Sequence, residues 1–261
     1  MAYEHLKVAL GPVAEVTLAR PAARNAMSEV TLGELEHAFR DIAKNPDLRA
    51  VMVTGEGKDF CAGADIDWMR RGGTLPPEEG KKDARRFADM LFAVDECPVP
   101  VIVAAQGAVF GGGLGLLAAA DVAILSEDAK LCFSEVRLGI MPAVISSWVL
   151  PKIGAANARR YYLTAELFGA AKAVAMGLAQ ETAPAAELSA RARAVAAEIL
   201  KNGPLAVRTA KAMIPKIARA SLDERVNLTV DTLVRLRSGA EGQEGLSAFL
   251  EKRAPKWVVK P

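Results

Sequence analysis

Two short stretches of this chain place glycine where the surrounding residues are suited to burial: Phe60–Ile66, FCAGADI, and Gly107–Leu116, GAVFGGGLGL. A P-loop is excluded, because no Lys followed by Ser or Thr stands after Gly111–Gly115. A dinucleotide fingerprint begun at Gly111 fails as well, since its third glycine would fall on Leu116. What remains is a helix whose first turn opens on consecutive glycines and offers free backbone N–H groups at the positive end of its dipole. Glycines that merely let a helix pack closely on a strand would read the same way. The second segment tips the balance, because a developing oxyanion is held best by two N–H groups converging from separate pieces of chain.

Other chemistries have little to work with. The only histidines are His5 and His37, and His37 falls off the apolar stripe Leu32, Leu35, Phe39 and Ile42, so it reads as a surface residue. A histidine triad or a histidine-held metal is therefore not expected. Cys61, Cys97 and Cys132 are far apart and form no C-x-x-C pair, which argues against a disulfide framework or structural zinc and for a reducing compartment. Thirty-three Lys and Arg stand against thirty-one Asp and Glu, a balance that gives no ground for expecting nucleic acid. The excess of basic side chains within 201–261, twelve against six acidic, fits a phosphorylated ligand or a plain solvated surface. The N-terminal MAYEHLKVALGPVAEV has neither a basic leader nor an apolar signal, and the apolar run Val99–Ala120 is broken by Gln106 and five glycines, so a soluble cytoplasmic protein with no membrane partner is expected.

The elements that must position the glycine segments follow from periodicity. With 51% hydrophobic residues over 261 positions, the chain is long enough for one large core, or a core plus a smaller unit. Val13–Ala19 and Arg49–Gly55 read as strands, and Ser28 is placed to cap a helix running to about Asn45. Arg70–Asp83, RRGGTLPPEEGKKD, reads as a mobile surface loop, followed by a helix over Ala84–Asp95. Val99–Gln106 is apolar on both faces, as a buried strand is, and feeds the glycine triplet into the helix LGLLAAA. DVAILSED and AKLCFSE read as two further short strands, which makes the first half α/β. After Pro142 only helices are expected, over 147–153, 156–164, 170–178, 186–201, 204–220, 222–238 and 243–253, with a boundary near residue 200 at Asn202-Gly203-Pro204.

RPAARNAMS (Arg20–Ser28), FCAGADI, GAVFGGGLGL and FSEVRLGIMP (Phe133–Pro142) stand in the order and spacing that resemble the crotonase, or enoyl-CoA hydratase/isomerase, superfamily. The likeness covers nearly the whole chain and extends to EGLSAFLEKRAPKW (Glu244–Trp257). It implies a crotonase-like spiral of strand-strand-helix turns over residues 1–200 carrying the acyl-CoA site. A helical region over 201–261 would pack on neighbouring subunits in a homotrimer or homohexamer. It also implies an acyl-CoA thioester as substrate partner, with CoA arriving as part of that substrate and no separate cofactor or metal. By position, Ala64 and Gly112 match the two oxyanion donors. Arg24, Ala26, Ala64, Asp65, Ile66 and Lys252 match groups that line or reach CoA, Lys252 from an adjacent subunit; for Arg24 and Lys252 an ordinary surface charge is an equal alternative.

Well-known hydratases of this superfamily use two facing glutamates, and this sequence departs from that pattern. The first position falls on Gly115, and only the second is filled, by Glu135, whose neighbours Phe133, Val136 and Leu138 would raise a carboxyl pKa. A single glutamate in SEV followed by Pro142–Ser146 resembles bacterial methylglutaconyl-CoA hydratases and their isohexenylglutaconyl-CoA relatives. The implied activity is hydration of a branched or carboxylated 2-enoyl-CoA, with Glu135 as acid and base. An enoyl-CoA isomerase, a feruloyl-CoA-type hydratase-lyase and a CoA-binding protein without turnover are the alternatives. The lyase is disfavoured by the absence of tyrosine from 70–83. Gly115 is expected to open space for a branched β-carbon or for a larger acyl group.

Overall fold

The computed structural model describes residues 3–258. In chain order, β1 (Leu6–Ala9) and β2 (Val13–Leu18) form an antiparallel pair, and α1 (Glu29–Lys44) leads to β3 (Ala50–Gly55). Next come α2 (Ile66–Gly72), α3 (Pro77–Asp95), β4 (Val101–Ala105), β5 (Ala108–Phe110), α4 (Gly112–Ala119), β6 (Val122–Ser126) and β7 (Lys130–Cys132). The rest is α5 (Ser146–Thr164), β8 (Phe168–Gly169), α6 (Ala170–Ala175), β9 (Glu181–Ala183), α7 (Leu188–Leu200), α8 (Pro204–Arg219), α9 (Leu222–Ser238) and α10 (Ala240–Leu250).

The chain is α/β, as its pattern predicts. One sheet has the order β1-β2-β3-β4-β6-β9, parallel from β2 onward, and a smaller sheet has the order β5-β7-β8. Alternation in β2 sends Ala14, Val16 and Leu18 into the core. Every residue of β4 is buried, because one face meets the main core and the other, through Ile102 and Ala104, meets Leu188, Ala192 and Ala196 of α7. Ser28 caps α1 by accepting the Thr31 N–H at 3.2 Å, as the sequence predicts. The two helices expected over 147–164 form one run broken at Gly154, whose φ of 71° departs from helical geometry.

Two expectations are corrected. Residues 70–83 are not a loop: α2 runs to Gly72 and α3 starts at Pro77, leaving only 73–76 as connection. Pro77 opens α3 because the first helical position needs no N–H, and Glu78 and Glu79 suit its positive end. The Trp68 indole N–H donates to Asp83 at 3.0 Å and joins the two helices. The second half is also not purely helical. The short strands β8 and β9 sit among its helices, and β9 completes the large sheet beside β6.

The last three helices are tied to the rest by side-chain donors. The Arg208 guanidinium donates to the Pro46 and Leu48 carbonyls at 2.9 and 2.8 Å, and the Lys211 ammonium to the Val99 carbonyl at 3.1 Å. On α9, Leu222, Val226, Val230 and Leu233 are exposed along one face. Among the described residues no helix is long and apolar enough to cross a membrane.

Candidate active site

The two glycine segments are built side by side. Cys61 pairs with Val109 as a parallel bridge, the Cys61 N–H donating to the Ala108 carbonyl at 3.0 Å and the Phe110 N–H to the Cys61 carbonyl at 2.9 Å. FCAGADI thereby runs along β5, which itself pairs with β7. A second bridge joins Ala64 to Met27, with the Met27 N–H bonded to the Gly63 carbonyl and the Asp65 N–H to the Met27 carbonyl, both at 2.9 Å. Extended backbone alternates the direction of its polar groups, so the N–H of Ala64 itself points away from Met27. Among the described residues, neither that N–H nor the N–H of Gly112 donates to a protein acceptor.

Gly111 makes the turn from β5 into α4 with φ 43° and ψ −108°, a conformation closed to side-chain-bearing residues. Its N–H reaches the Cys132 carbonyl at 3.3 Å, and Gly112 becomes the first residue of α4. A Cβ at Gly111 would lie 3.3 Å from Glu135 Oε1 and 3.5 Å from Gly63 Cα, which brings all three sequence motifs to one point.

Glu135 begins a 3-10 turn, Glu135–Leu138, just after β7. Phe133 holds the turn in place: it is fully buried, with ring centroids 4.7 Å from Tyr162 and 5.8 Å from Phe168. Burial pushes the Glu135 carboxyl above its ordinary range, and Oε2 is buried without a hydrogen-bond partner. Nearby, Tyr162 accepts a bond from the Ser146 hydroxyl at 3.2 Å, and burial and then the Glu135 charge push its phenol upward.

A cavity of about 500 Å³ is lined by Gly63, Ala64, Gly111, Gly112 and Glu135 together. This is ample for an acyl thioester. The remaining wall is apolar apart from Ser134: Ile66, Trp68 and Met69 from α2, Ala84 and Phe87 from α3, and Leu138 to Ile145 from the segment before α5. No Lys, Arg, His or second carboxylate stands among these lining residues. Of the α2, α3 and 138–145 walls, the sequence reading names only Ile66 as a lining group. The apolar positions of IDWM and of ARRF, three to four apart on helices, were the signal that could have found the first two.

The expected space at Gly115 is not there. A Cβ on Gly115 would meet Ile145 Cγ2 at 2.7 Å and Leu91 Cδ1 at 3.4 Å, so Ile145 fills the volume that a side chain at 115 would need. Gly115 itself does not line the cavity.

The other site candidates are distributed unevenly. Ile66 lines the cavity and is exposed. The Asp65 carboxylate caps α2 through the Asp67 and Trp68 N–H groups at 3.1 and 3.3 Å and pairs with Arg20 at 3.2 Å. Burial pushes that carboxyl upward, but the Trp68 N–H and Arg20 outweigh it and hold the pKa low. The Ala26 carbonyl accepts from Arg20 at 2.8 Å. Lys252, in the turn after α10, is exposed and does not line this cavity. Neither histidine does so; His5 bonds Thr31 at 2.9 Å and His37 pairs with Asp41 at 3.3 Å.

Arg24 is engaged within the protein. Its Nε donates to Asp59 Oδ2 at 2.6 Å, while Asp59 Oδ1 accepts the Ala108 N–H at 2.8 Å. Asp59 thus links the Arg20–Ser28 turn to the start of β5, and Arg24 holds its carboxyl below the usual range. Replacement of Asp59 by Ala is expected to cost about 1.5–3 kcal/mol of unfolding free energy near neutral pH, measured by urea titration. A carboxyl whose folded pKa is depressed contributes stability above its unfolded pKa and loses it as pH falls. The gap between the two proteins should therefore narrow below about pH 4.

Comparison with known proteins agrees with this geometry. The family model described as Enoyl-CoA hydratase/isomerase matches residues 10–260. The crotonyl-CoA hydratase of Syntrophomonas wolfei is 30% identical over 263 residues, covering 100% of each chain. The short-chain-enoyl-CoA hydratase of Clostridium acetobutylicum is 31% identical, covering 93% of each. Among solved structures, an enoyl-CoA hydratase from Shewanella pealeana superposes with a TM-score of 0.93 at 36% identity, covering 97% of this chain and 96% of that one.

Proposed function

Because the chain belongs to the enoyl-CoA hydratase/isomerase family, we propose that it adds water across the double bond of a 2-enoyl-CoA thioester. The observation that carries this reading is the single cavity onto which Ala64, Gly112 and Glu135 all open, with both N–H groups unclaimed by protein acceptors. In this reading the thioester oxygen accepts both N–H bonds, and the charge that builds on it as an enolate forms is met by donors already in place. Glu135 takes a proton from water as its oxygen bonds to the β-carbon. The enolate then collapses, and the same carboxyl returns the proton to the α-carbon on the same face. One carboxyl suffices because it leaves the cycle in the state in which it entered.

Of the branched and carboxylated acyl groups expected from the sequence, the apolar wall supports the branched one. A carboxylate would leave water with no cation among the lining residues to receive it. The lining residues include no tyrosine for a phenolic substrate. CoA enters only as part of the substrate. Ala26, Ile66 and the backbone at Asp65 remain the proposed CoA contacts; the Arg24 and Lys252 side chains are proposed for its phosphates, Lys252 acting in a neighbour's site. The exposed apolar face of α9 supports packing of α8–α10 on neighbouring subunits, in a trimer or a pair of trimers. The cytoplasm remains the proposed location.

The test is to incubate the protein with crotonyl-CoA, 3-methylcrotonyl-CoA, 3-methylglutaconyl-CoA and feruloyl-CoA and separate the products. Expected are 3-hydroxyacyl-CoA products from the first two, with 3-methylglutaconyl-CoA slower by at least about tenfold in kcat/KM. Preference for 3-methylglutaconyl-CoA would overturn the acyl assignment. A shifted double bond without hydration would make the protein an isomerase, and free aldehyde from feruloyl-CoA would make it a lyase.

A further inference from the structure

Helix α4 carries the Gly112 N–H at one end, and all eight of its residues are buried. Eight residues span about 12 Å, so both poles of the helix lie within the protein. The last carbonyls of a helix have no partner within it and are normally satisfied by water or a capping group. At this end the group is a lysine from another element. The Lys152 ammonium, in the part of α5 that precedes the break at Gly154, donates to the Ala120 carbonyl at 2.9 Å and lies 3.5 Å from the Leu117 carbonyl.

The geometry points to Lys152 as a positioning residue for the oxyanion donor, acting through α4. Two effects run in the same direction. A cation at the negative pole stabilises the aligned dipoles whose positive pole faces the thioester oxygen. The two carbonyl contacts also fix the helix along its axis, and with it the Gly112 N–H at the opposite end. Burial pushes the Lys152 ammonium below its ordinary range, and the charges of Asp121 and Asp95 work against that; each carboxylate is also held by other groups, Asp121 accepting from the Val101 N–H at 2.7 Å and Lys211 at 2.6 Å, Asp95 from the Trp148 indole at 3.1 Å. The inference rests on the oxyanion reading proposed above.

The experiment reads the polarisation of the thioester directly. Infrared difference spectra of carbonyl-labelled butyryl-CoA, which cannot be hydrated, are recorded bound to wild type, Lys152→Met, Lys152→Gln and Lys152→Arg. Crotonyl-CoA kinetics and thermal midpoints are measured alongside. Expected in Lys152→Met is a carbonyl stretch moved back toward that of free thioester, with kcat down by about tenfold and KM changed less than about twofold. Lys152→Arg should regain most of the shift. Should Lys152→Met not fold, Lys152→Gln keeps a donor without the charge, and an intermediate shift is expected. A wild-type carbonyl shift retained in Lys152→Met, or in Lys152→Gln where that variant stands in, overturns the inference. Absence of any shift in wild type would instead overturn the oxyanion reading itself.

Discussion

Replacing Glu135 with Gln is expected to lower kcat for hydration by about 10²–10⁴-fold while leaving acyl-CoA affinity within a few-fold of wild type. The amide keeps the size of the carboxylate, so the 3-10 turn and the packing of Phe133 should survive. What it loses is the proton-transfer capacity on which the proposed hydration depends. In the proposed reading, binding rests on backbone N–H groups and apolar walls rather than on the charge of this side chain. The pH profile of wild type provides a second check. Burial raises the Glu135 pKa, and the proposed attacking step needs its ionised form, so kcat/KM is expected to fall on the acid side with a midpoint above the ordinary carboxylate range. Stopped-flow absorbance at the enoyl-thioester band gives kcat, and titration with butyryl-CoA gives affinity. A Gln variant of full activity would remove Glu135 from the chemistry.

Replacing Gly112 with Val should be nearly as damaging for a different reason. A backbone N–H cannot be deleted by changing a side chain, but it can be displaced. A Cβ at 112 would lie 2.9 Å from both Met27 Sδ and Phe87 Cζ, two buried side chains, so a valine there must push these side chains or the start of α4 aside. Loss of one oxyanion donor lowers kcat by about 10²–10³-fold, and the overpacking should cost about 1–3 kcal/mol of stability. Gly33→Ala is the matched control, since a Cβ there meets nothing within 4 Å. Crotonyl-CoA kinetics and thermal unfolding of both variants separate the two effects. Wild-type kcat in a folded Gly112→Val protein whose bound butyryl-CoA has lost its carbonyl shift would show that α4 does not deliver a donor at this point.

The features legible in the sequence were those written into contiguous residues. The glycine triplet dictates a sharp strand-to-helix turn, and the apolar run before it dictates a buried strand. Apolar periodicity and Ser28 together mark α1 and its start. Less legible was whatever depends on residues distant in sequence. Residues 70–83 are rich in Gly, Pro and charge, and that composition concealed Pro77 acting as a helix start and Trp68 joining α2 to Asp83. Strands of two or three residues, such as β5, β8 and β9, have too few side chains to show a period. They exist because neighbouring backbone offers them partners. That the Nε of Arg24 is taken by Asp59, thirty-five positions away, which leaves its terminal nitrogens for a phosphate, is not readable from the sequence.

The contact between Gly115 and Ile145 bears on how a site of this kind changes over evolutionary time. A glutamate arriving alone at 115 would enter an occupied volume, and a smaller residue arriving alone at 145 would leave a hole in a packed wall. In this chain the two positions are therefore expected to be coupled: Gly115→Glu alone should destabilise the protein by more than Gly115→Glu combined with Ile145→Ala.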